Sequence, residues 1–301
     1  MIPPNLDRTN HITRSLRRAV LYRKRALAGL FIVVLAFAVR SLTANFLRAH
    51  FADPGWFQFT SYRVFDRQAQ DILDHKVAPF WISDPSRTDQ MIHPPGYSIW
   101  MASIYAVLGE RSPAAVQRVQ LVLDSLSVLL LVGIGVTAFG WRAGIVAGVL
   151  GALSPLLALG GATPNADAPT SWVVLGAVWL FLLAAKRKTI AHAIAAGALL
   201  GLACWMRVNP LLLFVVWTVA LMLFVKANWR RRLALSAAVS FSALLVISPV
   251  IIRNVWVFYP EIAPTGLNAG LNLWEGIGET DRGVEFGAPS SDAEVLAQDR
   301  K

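Results

Sequence analysis

The chain has 301 residues, 55% of them hydrophobic and 15% charged, with a mean hydropathy of +0.52. Soluble domains carry about 25% charged residues, and apolar runs of about 20 residues recur here, which excludes an ordinary globular fold in favour of a polytopic membrane protein. The net charge of +10 does not mark a nucleic-acid binder, because the cations gather at helix ends, around 14–25, 186–188 and 226–232, the pattern of cytoplasmic loops under the positive-inside rule.

Residues 1–25 read as a basic cytoplasmic tail before an uncleaved anchor. The first span is predicted over 26–47, running from inside to outside. A polar, aromatic stretch follows within an outer loop at 48–115, holding Asp53, Asp66, Asp71, Asp74, Asp84 and Asp89. So long a loop between apolar helices is functional more often than idle. Further spans are predicted over 116–139, 143–161, 168–185, 191–206, 211–225 and 233–252, about seven in all. The single cysteine, Cys204, lies in one of them and precludes an internal disulfide.

Charge parity fixes the topology of the outer loop. If 186–188 and 230–232 are inside, residues 162–167 are outside and 97–108 cannot be a span. At about 12 residues it is also shorter than the ~17 a span needs. It is predicted as a helix lying in the interface, opened by Pro94-Pro95-Gly96, with Tyr97, Trp100 and Tyr105 at headgroup level. A second interfacial helix is predicted over 63–74, where Phe65, Ala69, Ile72 and Leu73 fall at helical spacing. The expected fold is thus an all-α integral membrane bundle with two juxtamembrane helices in its first outer loop. The remaining tail, 253–301, is read as outer and incomplete.

Ionisable groups near the membrane are expensive and therefore informative. Asp66 is either a solvated charge on an amphipathic helix or a general base, or else a carboxylate that holds a divalent metal or an acceptor hydroxyl. Asp167, bracketed by Pro164 and Pro169, is either a helix-dipole partner or a second catalytic carboxylate. Arg207 is a lone cation on the side where the positive-inside rule disfavours arginine. Its guanidinium suits a phosphate, which it can grip with two parallel hydrogen bonds. Arg253 is a further candidate for the same anion. The histidines show no metal-ligand spacing, and no nucleotide-binding loop is present. The spans read as clean apart from Asp124, with no internal repeat, which speaks against a transporter.

In order, Phe65 to Leu73, HPPGYSIWMASIYAVLG, SPLLALGGATPNAD, GLACWMRVNPLLL, SPVIIRNVWVF and NAGLNLWEG resemble the membrane glycosyltransferases of the GT-C fold. The resemblance is to family 39, the dolichyl-phosphate-mannose-protein mannosyltransferases and the related lipid A aminoarabinose transferases. It implies transfer of a sugar from a polyprenyl-phosphate donor to a lipid, glycan or protein acceptor on the outer face of a plasma membrane, here bacterial since no organellar signal is present. By that likeness a first-loop carboxylate, Asp66, and Asp167 are catalytic, Arg207 holds the donor phosphate, and Asn272, Trp274 and Glu275 contact substrate, with Asn268 beside them. Arg253 joins the phosphate site, and His93 and Tyr97 the substrate contacts, by their place in the chain alone. The chain departs from the family pattern at Ser61, where an aspartate is expected, and at Phe65, where a tyrosine is. Asp66 or Asp53 would then supply the base. A non-catalytic or truncated member of the fold is the alternative, and a polytopic lipid or solute transporter a second one.

Overall fold

The structure is a computed structural model that describes residues 5–48 (side chains from residue 20), 62–76 and 93–258. Asp53, Ser61, Asn268, Asn272, Trp274 and Glu275 lie outside the described residues. Ten helices occur within them: α1 (Asn5–Leu47), α2 (Tyr62–Leu73), α3 (Gly96–Leu108), α4 (Pro113–Phe139), α5 (Trp141–Leu153), α6 (Pro155–Ala162), α7 (Asp167–Arg187), α8 (Ile190–Met206), α9 (Leu211–Phe224) and α10 (Trp229–Phe258). Helix covers each predicted span, but over 143–161 it is broken: α5 and α6 meet at a 57° bend. Four segments are long and apolar enough to cross a membrane (Val20–Leu47, Pro113–Phe139, Asp167–Arg187 and Trp229–Val257), and the bent pair is a fifth if it is counted as one span. α8 and α9 are apolar but shorter, at 17 and 14 residues.

The helix boundaries follow from local chemistry. Ser112 accepts from the Ala115 N–H and Pro113 takes the first turn of α4, where its missing N–H costs nothing. Gly140, at φ +98°, ends α4 and begins α5 in a single residue, a backbone state that a side chain would strain. The two helices then run close together: a Cβ on Gly135 would stand 2.7 Å from the Gly144 Cα. Close approach through small residues is how helices gain contact in lipid, where water provides no drive. α8 uses the same device, burying Ala193, Ala196, Gly197, Gly201 and Cys204 between α7 and α10.

The bend between α5 and α6 has a definite cause. Pro155 has no N–H, so the Gly151 carbonyl loses its helical donor. In a membrane such an orphan must be satisfied by protein. Arg40 of α1 supplies the need: its guanidinium donates to the Ala152 and Gly151 carbonyls at 3.3 and 3.4 Å, and to Asp124 of α4. Arg40 is 1% exposed. The first span, read from sequence as free of charge, therefore carries a fully buried cation. The Trp172 indole of α7 donates to the other Asp124 oxygen at 2.6 Å. A Cβ on Gly161 would come within 2.6 Å of that carboxylate, so α6 can pass there only as glycine.

The two juxtamembrane helices pack on one another and on the start of α4. Phe65 and Ala69 of α2 meet Tyr97, Met101 and Tyr105 of α3, with Ile72 and Leu73 at the margin. Tyr97 and Tyr105 are thus buried in protein rather than set at headgroup level. Their hydroxyls explain why, since each finds a partner inside, Gln120 for Tyr97 and Asp66 for Tyr105.

Candidate active site

Asp167 is the first residue of α7, and the Asn165 side chain caps that turn by accepting from the Asp167 and Ala168 N–H groups. Arg207 follows the last turn of α8, its own N–H bonded to the Ala203 carbonyl. Carboxylate and guanidinium therefore sit at the helix ends whose partial charges favour them. They meet across the short gap between the two helices. Arg207 Nη2 donates to Asp167 Oδ2 at 2.8 Å, and Nε stands 2.8 Å from Oδ1 without pointing along that line. The second contact is ionic rather than a hydrogen bond. Asp167 is 61% exposed and Arg207 29%. Both can be reached by a ligand.

The segment between α1 and α4 is brought to this pair through Gly96. A Cβ there would stand 2.6 Å from the Trp205 carbonyl, so only glycine lets the start of α3 lie against the end of α8. Tyr97 follows directly. Its hydroxyl donates to Gln120 Oε1 at 3.0 Å, while Gln120 Nε2 donates to the Thr163 carbonyl at 3.0 Å and Gln117 Nε2 to the Ala162 carbonyl at 2.7 Å. These two glutamines of α4 fix the segment that leads into Asp167. Burial pushes the Tyr97 hydroxyl well above its ordinary pKa, with Tyr62 and Asp167 adding to the effect and Arg207 opposing it. Tyr97 thus stays a neutral donor and feels both members of the pair. Trp100 stacks on Tyr97 at 5.5 Å and meets the Trp172 ring edge-on at 6.1 Å, giving a partly buried aromatic wall beside the site.

The other predicted residues lie differently. His93 packs its ring against Phe65 at 5.0 Å, on the α2 side of Tyr97. Asp66 accepts from Tyr105 at 2.6 Å and from Gln70 at 2.8 Å, and Tyr62 shares the Tyr105 hydroxyl at 2.9 Å. Tyr105 is eight residues beyond Tyr97, about 12 Å along α3. Asp66 is thus held two turns of α3 beyond Tyr97, and both of its oxygens already have donors. Arg253 is 1% exposed, with Nε and Nη2 donating to the Asn254 side chain at 2.9 and 2.7 Å. Among the described residues no group of three or more His, Cys, Asp or Glu is placed to hold a metal ion. Sequence reasoning missed Arg40, Gln117, Gln120 and Trp172. A lone arginine seven residues from the end of an apolar span was the available signal.

A family model described as dolichyl-phosphate-mannose-protein mannosyltransferase matches residues 92–253, just over half of the chain and all of the site just described. No curated protein matches the chain. Two solved structures of the Archaeoglobus fulgidus oligosaccharyltransferase share its fold, both with a TM-score of 0.57 and 16% identity. The apo form covers 90% of this chain, and the form tethered to an acceptor peptide covers 89%. The chain spans 36% and 37% of those enzymes' lengths. At that identity the likeness is one of fold, the all-helical GT-C architecture.

Proposed function

The chain belongs to the dolichyl-phosphate-mannose-protein mannosyltransferase family, and from that premise we propose that it serves as a membrane glycosyltransferase with a polyprenyl-phosphate-linked sugar as donor. The reading rests above all on the open Asp167–Arg207 pair, a carboxylate and a guanidinium held together at one end of the bundle. In this account the donor phosphate competes with Asp167 for Arg207, whose planar fork suits it. Its arrival frees the carboxylate. The acceptor hydroxyl then attacks the anomeric carbon from the face opposite the phosphate, its proton passes to Asp167, and the bond from that carbon to the phosphate oxygen breaks. Arg207 stabilises the charge that develops on the leaving phosphate. Tyr97, Trp100 and Trp172 wall the side towards the first loop.

We place the site on the outer face of a bacterial plasma membrane, with the N-terminus in the cytoplasm, because the cation clusters lie at the opposite helix ends. The acceptor is a lipid, glycan or protein presented at that face. A non-catalytic member of the fold is the second reading, and Asp66 favours it by being engaged with Tyr105 and Gln70 rather than free. Transfer from a labelled polyprenyl-phosphate sugar in proteoliposomes separates the two. On the first reading Asp167→Asn lowers turnover at least about 100-fold while donor binding survives. No transfer by the native chain to lipid, glycan or peptide acceptors would leave the non-catalytic reading standing.

A further inference from the structure

At the end of the bundle away from Asp167, the turn joining α7 to α8 and the turn joining α9 to α10 border a shallow, open cleft of about 500 Å³. Lys188, Ala227, Asn228, Arg230, Arg231 and Ala234 line it. That volume is within the ~300–1,000 Å³ usual for small-molecule sites. The cleft is built rather than incidental. Arg231 Nε donates to the Lys188 carbonyl at 2.8 Å and so bridges the two turns, while Asn228 Oδ1 accepts from the Arg231 N–H at 2.9 Å and fixes the start of α10. Arg232 folds away to the Ala227 and Met222 carbonyls at 2.9 and 3.0 Å, and takes no part in the lining.

Its charge is uncompensated. Between Glu110 and Glu261 the sequence holds two carboxylates, Asp124 and Asp167, and each is already paired with an arginine elsewhere. Lys186, Arg187, Lys188, Lys226, Arg230, Arg231 and Arg232 form no ion pair among the described residues. Trp229 is 65% exposed beside the cleft, with the Arg230 guanidinium 5.9 Å from its ring. An exposed tryptophan at a helix end belongs at headgroup depth. A basic cleft between helices at that depth is matched by the phosphate of a lipid headgroup.

We propose that this cleft is a binding site for the headgroup phosphate of an anionic glycerophospholipid. Lys188 and Arg230 supply the charge, Arg231 holds the two turns at the spacing the phosphate needs, and Asn228 and Trp229 flank it. Diffuse attraction of anionic lipid to any basic face makes a different prediction, because it depends on the number of charges and not on their place. The site is independent of the transfer reaction proposed above.

The test uses the full chain in phosphatidylcholine nanodiscs, titrated with phosphatidylglycerol and read by native mass spectrometry. One phosphatidylglycerol is expected to stay bound preferentially. Lys188→Gln/Arg230→Gln should weaken its retention about 10- to 30-fold. Arg187→Gln/Lys226→Gln, which removes equal charge outside the cleft, should leave it within about threefold. Equal losses in the two pairs would overturn the site in favour of diffuse attraction. Displacement by free glycerol phosphate at concentrations equal to the lipid would also overturn it, since the ligand would then be a soluble anion. If the first double variant does not fold, Arg230→Gln against Arg187→Gln carries the same comparison, with a smaller expected gap.

Discussion

Two arginine–carboxylate pairs organise this molecule, and they differ in almost everything except chemistry. Arg40 and Asp124 are 1% and 8% exposed in their side chains, whereas Arg207 and Asp167 are 29% and 61%. The buried pair is saturated, for Arg40 also meets the α5 carbonyls and Asp124 also takes the Trp172 indole. The open pair holds its partners with one aligned hydrogen bond and an ionic contact. A buried charge that has found every partner has nothing left to offer a ligand. Its work is to pin α1, α4 and α7 around the bend that delivers α6 to Asp167. The open pair has spare donors and lone pairs beside an aromatic wall, and is the one fitted for chemistry.

Breaking the buried pair should have the largest effect. Asp124→Leu leaves the Arg40 guanidinium buried without its counter-ion, with an expected loss of about 3–5 kcal/mol, read as a fall in melting temperature in detergent. Arg40→Met/Asp124→Leu should recover part of that loss while the α5 carbonyls remain uncapped. Gly161→Ala tests the same region sterically, since its methyl would meet the Asp124 carboxylate. A cost of about 1–3 kcal/mol is expected in the same melt. The open pair should behave in the opposite way: Arg207→Gln or Asp167→Asn should cost at most about 1 kcal/mol, because exposed ion pairs contribute little. Equal stability losses at the two pairs would dissolve the contrast.

The smallest effect concerns acid. Arg111, and after it Lys76, hold the exposed Asp74 carboxylate below its usual pKa. A folded-state pKa below the unfolded value near ~3.9 means the contribution is present above that pH and disappears as pH falls through the folded value. Arg111→Gln should therefore lower melting slightly at pH 7, by less as the pH falls, and not at all once Asp74 is protonated in the folded state. A deficit that persists at the lowest pH would show a role for Arg111 other than its charge.

Much of this was legible in the chain itself. Apolar runs gave the helical membrane fold, and their lengths gave the short helix at 97–108. Asp167 and Arg207 stood out because charges at that depth are rare. What stayed hidden depended on partners far apart in sequence. Arg40 and Asp124 are 84 residues apart, and nothing local says that one guanidinium caps a helix broken at Pro155. The placement of Tyr97 and Tyr105 was misjudged for a related reason. An amphipathic ring suits either a headgroup or a buried partner, and only the packing of α2 on α3 reveals which it meets.

The central claim is that Arg207 is reserved for a phosphate and that Asp167 holds it in the meantime. The measurement that tests it most directly is the affinity of a short-chain polyprenyl phosphate for the purified chain and two variants. Arg207→Gln should bind at least about tenfold more weakly, whereas Asp167→Asn, which removes the competing carboxylate, should bind as tightly as the native chain or more tightly. Unchanged binding in Arg207→Gln, or a loss in Asp167→Asn as large as that expected of Arg207→Gln, would contradict the account.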